Sequence, residues 1–238
     1  MVAIRRSKLY EQVAQTVEQR IREDDLMPGE ALPSEREMMR EFGVGRPAVR
    51  EALFHLQRMG MIELKAGARA RVAAPTPKAV VENLSGSVRY LLSSPDGIRH
   101  FQEARAFFEI GLARYAAEHA TSEEIEALRV ALEANRAALG DRAKFEKTDV
   151  DFHYVLAVIP KNPIFQTLHA AFVEWLVEQR HVTLNWSGRK DTAQSAYDAH
   201  AAIYTAIAAK DPDRAEAAMR KHLEQIADVY WEARQKQA

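Results

Sequence analysis

Four residues in the second half of the chain could together bind a metal ion. Asp149 and His153 lie four positions apart, so a helix would place both side chains on one face. His200 and His222 fall in the last two helical segments, which short connections would make neighbours in a bundle. One carboxylate and three imidazoles suit Zn²⁺, and Ni²⁺, Co²⁺ or Mn²⁺ could also bind them. The spacing alone leaves open that these histidines are solvated or packed in a core.

The stretch 32–60 carries arginines on two predicted short helices joined by a tight turn. Ser34 is a good N-cap, and Glu37, three residues later, completes a capping box that begins the first helix. Gly43 ends that helix, because glycine accepts the left-handed conformation that a helix stop needs. A second helix can begin shortly after this glycine.

The second of these helices begins near Pro47, whose missing N–H costs little in a first turn. Arg46 and Arg50 lie close to its N-terminus, off the buried stripe that Val49 and Leu53 predict. Such a pair of helices is a helix-turn-helix, whose second helix places its N-terminal residues in the major groove of DNA. The alternative is a small helical hairpin with solvated arginines.

A β-ribbon is predicted after the two helices, within residues 61–73, from two short alternating runs around a glycine-bearing turn. Next to a helix-turn-helix this ribbon is a wing, which would turn Lys65, Arg69 and Arg71 toward phosphate or the minor groove. Residues 36–72 contain eight lysines and arginines against four glutamates, although the whole chain has a formal charge of −1. The positive field is therefore local, as DNA binding requires.

Two domains are predicted, separated by a proline-stiffened linker at Ala74-Pro75-Thr76-Pro77. A DNA-binding domain would occupy 1–73, the linker 74–78, and a helical domain 79–238. Short connections between helical segments predict an all-α antiparallel bundle for the second domain, so the fold class is mainly α. The seven predicted helices span 79–92, 99–119, 122–139, 143–159, 164–184, 192–209 and 212–233.

Composition narrows the class of protein further. The absence of cysteine among the 238 residues excludes disulfides, thiolate metal sites and cysteine nucleophiles. No run of eighteen apolar residues and no signal peptide is present, so we expect no membrane partner and a cytoplasmic location. A helical metallohydrolase remains a remote alternative, but no HExxH or comparable metal-plus-base motif supports catalysis.

The first half of the chain resembles the winged helix-turn-helix of the GntR family of bacterial transcription regulators. The resemblance rests on LPSERE, on VGRPAVREAL and on the glycine-bearing wing. It implies that Arg36, Arg46 and Arg50 are the principal arginines that contact DNA. It also implies that phosphate- or groove-approaching positions are Ser34, Gly45, Pro47 and Gly67, with Arg69 beside them on the wing. Many members carry Ser or Thr where this chain has Gly45 and Pro47. Many also have a Gly-x-Gly wing where this chain has Gly67-Ala68-Arg69, so operator preference should differ from the family average.

The second half resembles the FCD effector domain of the FadR subfamily, through Arg105 four before Glu109, AAEHA, DVDFH and the two late histidines. In the metal-binding branch of that domain the ligands match Asp149, His153, His200 and His222. By the same resemblance Arg105 would bind an effector carboxylate in the cavity. The alternative is an ordinary surface pair between Arg105 and Glu109. Arg180 is a further effector candidate that could equally face solvent.

The resemblance implies a function for the whole chain. We expect a bacterial, nucleoid-associated repressor of a sugar-acid catabolism operon, and no enzyme. It would bind two-fold operator DNA as a homodimer through its first domain. A small carboxylate at the metal site would release it, and within the family the motifs are closest to sialic acid regulators, which implies N-acetylneuraminate. Hexuronate, lactate, citrate or the metal itself are the alternative effectors.

Overall fold

The protein is mainly α-helical, as the sequence predicts. The computed structural model describes residues 8–24, 26–73, 87–88, 90–185 and 192–236. The chain divides into two compact units, with the boundary between Leu84 and Ser85. The predicted linker 74–78 lies outside the described residues, so the domain boundaries drawn from the sequence remain a prediction.

The first unit is a small helical domain with a two-stranded ribbon. It contains α1 (Leu9–Glu23), α2 (Glu35–Phe42), α3 (Arg46–Arg58), β1 (Ile62–Glu63) and β2 (Arg71–Val72). The strands pair antiparallel, with Ile62 opposite Val72, and both side chains join the core of the unit. The turn between them contains Gly67 at a φ of 72°, a left-handed conformation that glycine adopts without strain. The predicted wing is therefore present.

Local signals set the ends of α2 and α3 as predicted. Ser34 Oγ accepts from the Glu37 backbone N–H at 3.3 Å, and Glu37 Oε2 accepts from the Ser34 backbone N–H at 2.7 Å. Gly43 ends α2 with a φ of 64°. Pro47 lies in the first turn of α3, where it costs no hydrogen bond. The turn of the helix-turn-helix is thus determined by short-range interactions.

We expect Ser34→Ala to lower the free energy of unfolding of the first unit by about 0.5–2 kcal/mol, because without the Ser34 hydroxyl the Glu37 backbone N–H loses its acceptor. Chemical denaturation of the variant and the wild type measures the difference. Ser34→Thr keeps a capping hydroxyl and is the matched control. Equal stability of the Ala and Thr variants would contradict the role of the cap.

The second unit is a helical bundle. Its helices in the described residues are α4 (Pro95–His119), α5 (Ser122–Ala137), α6 (Arg142–Val158), α7 (Pro163–Trp175), α8 (Val177–Asn185), α9 (Thr192–Ala208) and α10 (Pro212–Gln235). Helix α10 packs against both α4 and α9, and α5 packs against α6. The buried core between them includes Leu128, Phe152, Leu156, Ile203, Ile207 and Met219. None of the helices in the described residues combines the length and apolar character that crossing a membrane requires.

Two predicted helices differ in the structure. The helix predicted from residue 99 begins at Pro95, because Ser94 caps it by accepting from the Gly97 N–H. The prediction of a single helix over 164–184 is wrong, because the helix is interrupted at Leu176, where φ is −102° and ψ is 19°. No proline or glycine stands there, and the Leu176 side chain is buried. The break therefore follows from tertiary packing. Most of the helix predicted over 79–92 lies outside the described residues.

Candidate functional sites

Three histidines meet at the centre of the bundle. His153 from α6, His200 from α9 and His222 from α10 are all buried. The Nε2 atom of His222 lies 3.3 Å from Nε2 of His200 and 3.3 Å from Nε2 of His153. Asp149 Oδ1 lies 3.6 Å from Nε2 of His200. The structure thus brings together all four residues that the sequence singled out.

Polar contacts behind two of the rings orient their nitrogen atoms. Nδ1 of His153 contacts Oε2 of Glu109, and Nδ1 of His200 lies 3.0 Å from Oδ1 of Asn135. The Thr148 hydroxyl donates to main-chain carbonyls, so it must accept from Asn135 Nδ2, and Oδ1 is left as the acceptor for His200. Both rings therefore carry a proton on Nδ1, and a neutral ring in that tautomer presents its lone pair on Nε2.

This donor set fits a divalent cation. Tetrahedral Zn²⁺ with Zn–N bonds of about 2.0–2.1 Å separates its nitrogen ligands by about 3.3 Å, which is the spacing found between His222 Nε2 and its two neighbours. All three ligand atoms lie within 4.8 Å of one another. Burial, followed by the neighbouring imidazoles, lowers the pKa of His200 and of His222 well below the ordinary range. Neutral imidazole is the form that binds a metal.

Arg105 pairs with Glu109 inside the protein, not at its surface. Arg105 Nε donates to Glu109 Oε1 at 2.6 Å, and the Glu109 side chain is 4% exposed. Burial alone would raise the pKa of the Glu109 carboxyl, but Arg105 and then His153 hold that pKa well below its usual range. Glu109 is therefore a carboxylate that binds Arg105 with one oxygen and contacts His153 with the other.

A small cavity adjoins the histidines. Its volume is about 20 Å³, which is room for about one water-sized group. Arg105, Asp149 and His222 line it together with Arg180 and other residues of α8. Burial, followed by repulsion from Arg105, lowers the pKa of the Arg180 guanidinium. Arg180 lines the cavity, whereas the sequence left open whether it faces solvent.

Several polar residues at the site escaped the sequence analysis. Asn135 orients His200, and Glu109 contacts His153 in addition to pairing with Arg105. Gln179 and Thr183 of α8 are buried and line the cavity. Only the i, i+4 spacing of Arg105 and Glu109 was visible in the sequence, since the other contacts join residues far apart along the chain.

The predicted DNA-contacting residues lie on the first unit. Ser34, which caps α2, is half-buried. The exposed residues are Arg36, Gly45, Arg46, Pro47, Arg50, Gly67 and Arg69. Glu35 contacts two of the arginines, with Arg46 Nε 2.9 Å from Oε2 and Arg50 Nε 3.9 Å from Oε1. Arg50 and Glu35 line one groove together with Gly67 of the wing. The start of α2, the start of α3 and the wing turn therefore share one face.

These features define the class of protein: a winged helix-turn-helix of the kind that binds DNA, followed by a helical domain with a small polar cavity. Comparison with known families agrees. Residues 9–72 match the gntR family of bacterial regulatory proteins, and residues 100–225 match the FCD domain. The chain belongs to the GntR family and is a DNA-binding transcription regulator, not an enzyme.

Individual relatives support this assignment. The chain is 46% identical over 225 residues to the HTH-type transcriptional repressor NanR of Escherichia coli K12, covering 94% of this chain and 85% of that protein. It is 45% identical over 228 residues to the repressor of the same name from Cronobacter sakazakii, covering 96% and 87%. Among solved structures, Streptococcus agalactiae GntR superposes with a TM-score of 0.63 at 24% identity, covering 91% and 98%. That structural similarity supports the fold.

Proposed function

We propose that this regulator is a repressor that binds a two-fold operator as a homodimer and is released by a sugar acid bound beside a metal ion. The observation that carries the proposal is the buried cluster of three histidines, of which His222 lines a cavity that two arginines also line. Similarity to the NanR repressors supports the repressor role. With DNA as its target, the protein would act in the bacterial cytoplasm on the nucleoid.

Asp149, His153, His200 and His222 would hold the metal, with Zn²⁺ the ion that three nitrogens and one oxygen suit best. Ni²⁺, Co²⁺ and Mn²⁺ are the other candidates. When bound, the ion would supply a positive charge, and a carboxylate would join its ligands by raising the coordination number above four. Glu109 and Asn135 would keep two of the imidazoles turned with Nε2 toward the ion.

The effector we propose is N-acetylneuraminate, in keeping with the sequence resemblance to sialic acid regulators. Its carboxylate would approach the metal position and the guanidinium of Arg105, which lines the cavity while its Nε holds Glu109. Arg180 adds a second positive charge on the wall formed by α8. Hexuronate, lactate and citrate carry the same carboxylate and are the rival effectors, and the metal acting alone is a third possibility.

Calorimetric titration of the zinc-loaded protein tests the effector. N-acetylneuraminate should bind saturably, and His200→Ala and Arg105→Ala should each abolish the heat. His119→Ala, at an exposed histidine of the same unit, is the matched control and should bind as the wild type does. Heat from glucuronate or citrate alone would discard N-acetylneuraminate and keep the effector site. Silence from every acid would leave the metal as the signal.

Release from DNA requires that the effector bind one conformation of the dimer better than the other, and the coupling is reciprocal. Operator DNA should therefore weaken effector binding by the factor by which the effector weakens operator binding. Two recognition helices about 34–36 Å apart would contact two half-sites. Titration of the acids into an operator complex tests the model, and an unchanged complex with every acid would rule out induction by any of them.

Arg50→Ala is expected to lower operator affinity by about 1–3 kcal/mol if Arg50 contacts a base edge. Fluorescence anisotropy with operator and with unrelated DNA measures the loss. A loss confined to the operator indicates a base contact, and an equal loss on both indicates phosphate. Arg22→Ala changes an exposed arginine of the same unit and serves as the control. Unchanged operator affinity in Arg50→Ala would contradict the interface.

A further inference from the structure

A second cleft shares a wall with the metal cavity. It lies between α4, α8 and α10, and its volume is about 370 Å³, against about 20 Å³ for the metal cavity on the same measure. Arg105, Gln179 and Ile226 line both spaces. The inner cavity holds about one water-sized group, whereas ligand sites commonly occupy several hundred Å³. A sugar acid anchored at the metal would therefore extend into the cleft.

Gln102 leaves a buried donor without a partner at this cleft. Its Oε1 accepts from the indole N–H of Trp231 at 3.0 Å. Because an indole nitrogen can only donate, this bond fixes which end of the amide is oxygen. The remaining Nε2 is buried and has no hydrogen-bond partner among the described residues. Gln102 and Trp231 both line the cleft.

Gln179 provides a buried hydrogen-bond acceptor that also lacks a partner among the described residues. The residue is 6% exposed, and its Oε1 is buried without a partner in the described part of the chain. It stands in the wall between the metal cavity and the cleft. Leaving a buried polar group unpaired is costly, so one such donor and one such acceptor on two side chains that line one cleft indicate a ligand group. A hydroxyl or a secondary amide can accept from the first and donate to the second.

We infer that Gln102 and Gln179 form a subsite for a hydroxyl or acetamido group of the effector. The inference rests on the proposed function, because the effector's carboxylate lies at the metal position and Arg105. It narrows the effector class to polyhydroxylated or acylated sugar acids. A short acid such as lactate, held by its carboxylate at the metal position and Arg105, is too small to bond both amide groups and leaves them unpaired.

The test is calorimetric titration of the zinc-loaded full-length protein with N-acetylneuraminate and with lactate. Gln102→Glu keeps the acceptor for Trp231 and replaces the free donor, while Gln179→Leu removes the free acceptor. Both variants should bind N-acetylneuraminate about 5–150-fold more weakly, and their loss of lactate affinity should be clearly smaller, because lactate is too short to bond both amides. Gln194→Leu, at an exposed glutamine of α9 bonded to Asp198, should change neither affinity. Gln179→Met, closer in length, replaces Gln179→Leu if that variant fails to fold.

The outcomes separate the subsite from the proposed function. Unchanged N-acetylneuraminate binding in both variants, or an equal loss for lactate, would overturn the subsite and leave the effector site standing. Wild-type protein that binds lactate as tightly as N-acetylneuraminate would also overturn it. A wild type silent to every acid would overturn the proposed effector and the subsite together.

Discussion

The His222→Ala variant is expected to bind zinc more than about a hundredfold more weakly than the wild type. Its Nε2 lies 3.3 Å from the Nε2 of each of the other two histidines, so its loss removes the ligand atom next to both. Loss of a partner behind a ligand costs about 10–100-fold in metal affinity, and loss of a ligand should cost more. Competition with a chromogenic chelator measures the affinity.

Zinc should also stabilise the wild type against unfolding, because metal binds the assembled site and the unfolded chain lacks it. At a free concentration of about 100 times Kd the stabilisation is about 2.7 kcal/mol. Thermal unfolding with zinc and with a chelator would show this gain in the wild type and in the exposed-histidine variant His119→Ala, and not in His222→Ala. A gain of equal size in His222→Ala would contradict a metal site at this cluster.

Glu109→Gln should destabilise the second unit by about 3–5 kcal/mol, the cost of leaving one partner of a buried ion pair uncompensated. The substitution keeps the shape of the side chain but removes the charge that neutralises the buried guanidinium of Arg105, 2.6 Å away. The same change weakens the contact that turns His153, so zinc affinity should fall by about 10–100-fold. Denaturant unfolding and the chelator competition measure the two effects separately.

Glu133→Gln is the matched control for this pair. Glu133 contacts Arg129 with the same i, i+4 spacing, but its side chain is 62% exposed. Exposed pairs contribute about 0–1 kcal/mol, because water screens them. A cost for Glu109→Gln as small as that of Glu133→Gln would show that the buried pair has little energetic importance, and unchanged zinc affinity would remove Glu109 from the metal centre.

The sequence by itself determined the features that depend on neighbours three or four residues apart. The capping box of Ser34 and Glu37, the helix stop at Gly43 and the start of α3 near Pro47 follow from short-range bonds, and the structure confirms each. The mainly α-helical fold was also predictable, because helix signals and breakers repeat along the second half of the chain. Asp149 and His153 could be paired for the same reason of spacing.

Only the tertiary structure decided how the site is enclosed. No proline or glycine marks the interruption at Leu176 in the sequence. The interruption makes α8 a separate helix, and Gln179 and Arg180 of α8 line the cavity. Asn135 meets His200 across 65 residues of chain, a contact that no local pattern encodes. The burial of Glu109 likewise depends on packing between helices, and it places this carboxylate against both Arg105 and His153, beside the candidate metal site. Spacing names candidate residues, but desolvation and long-range packing determine what they can bind.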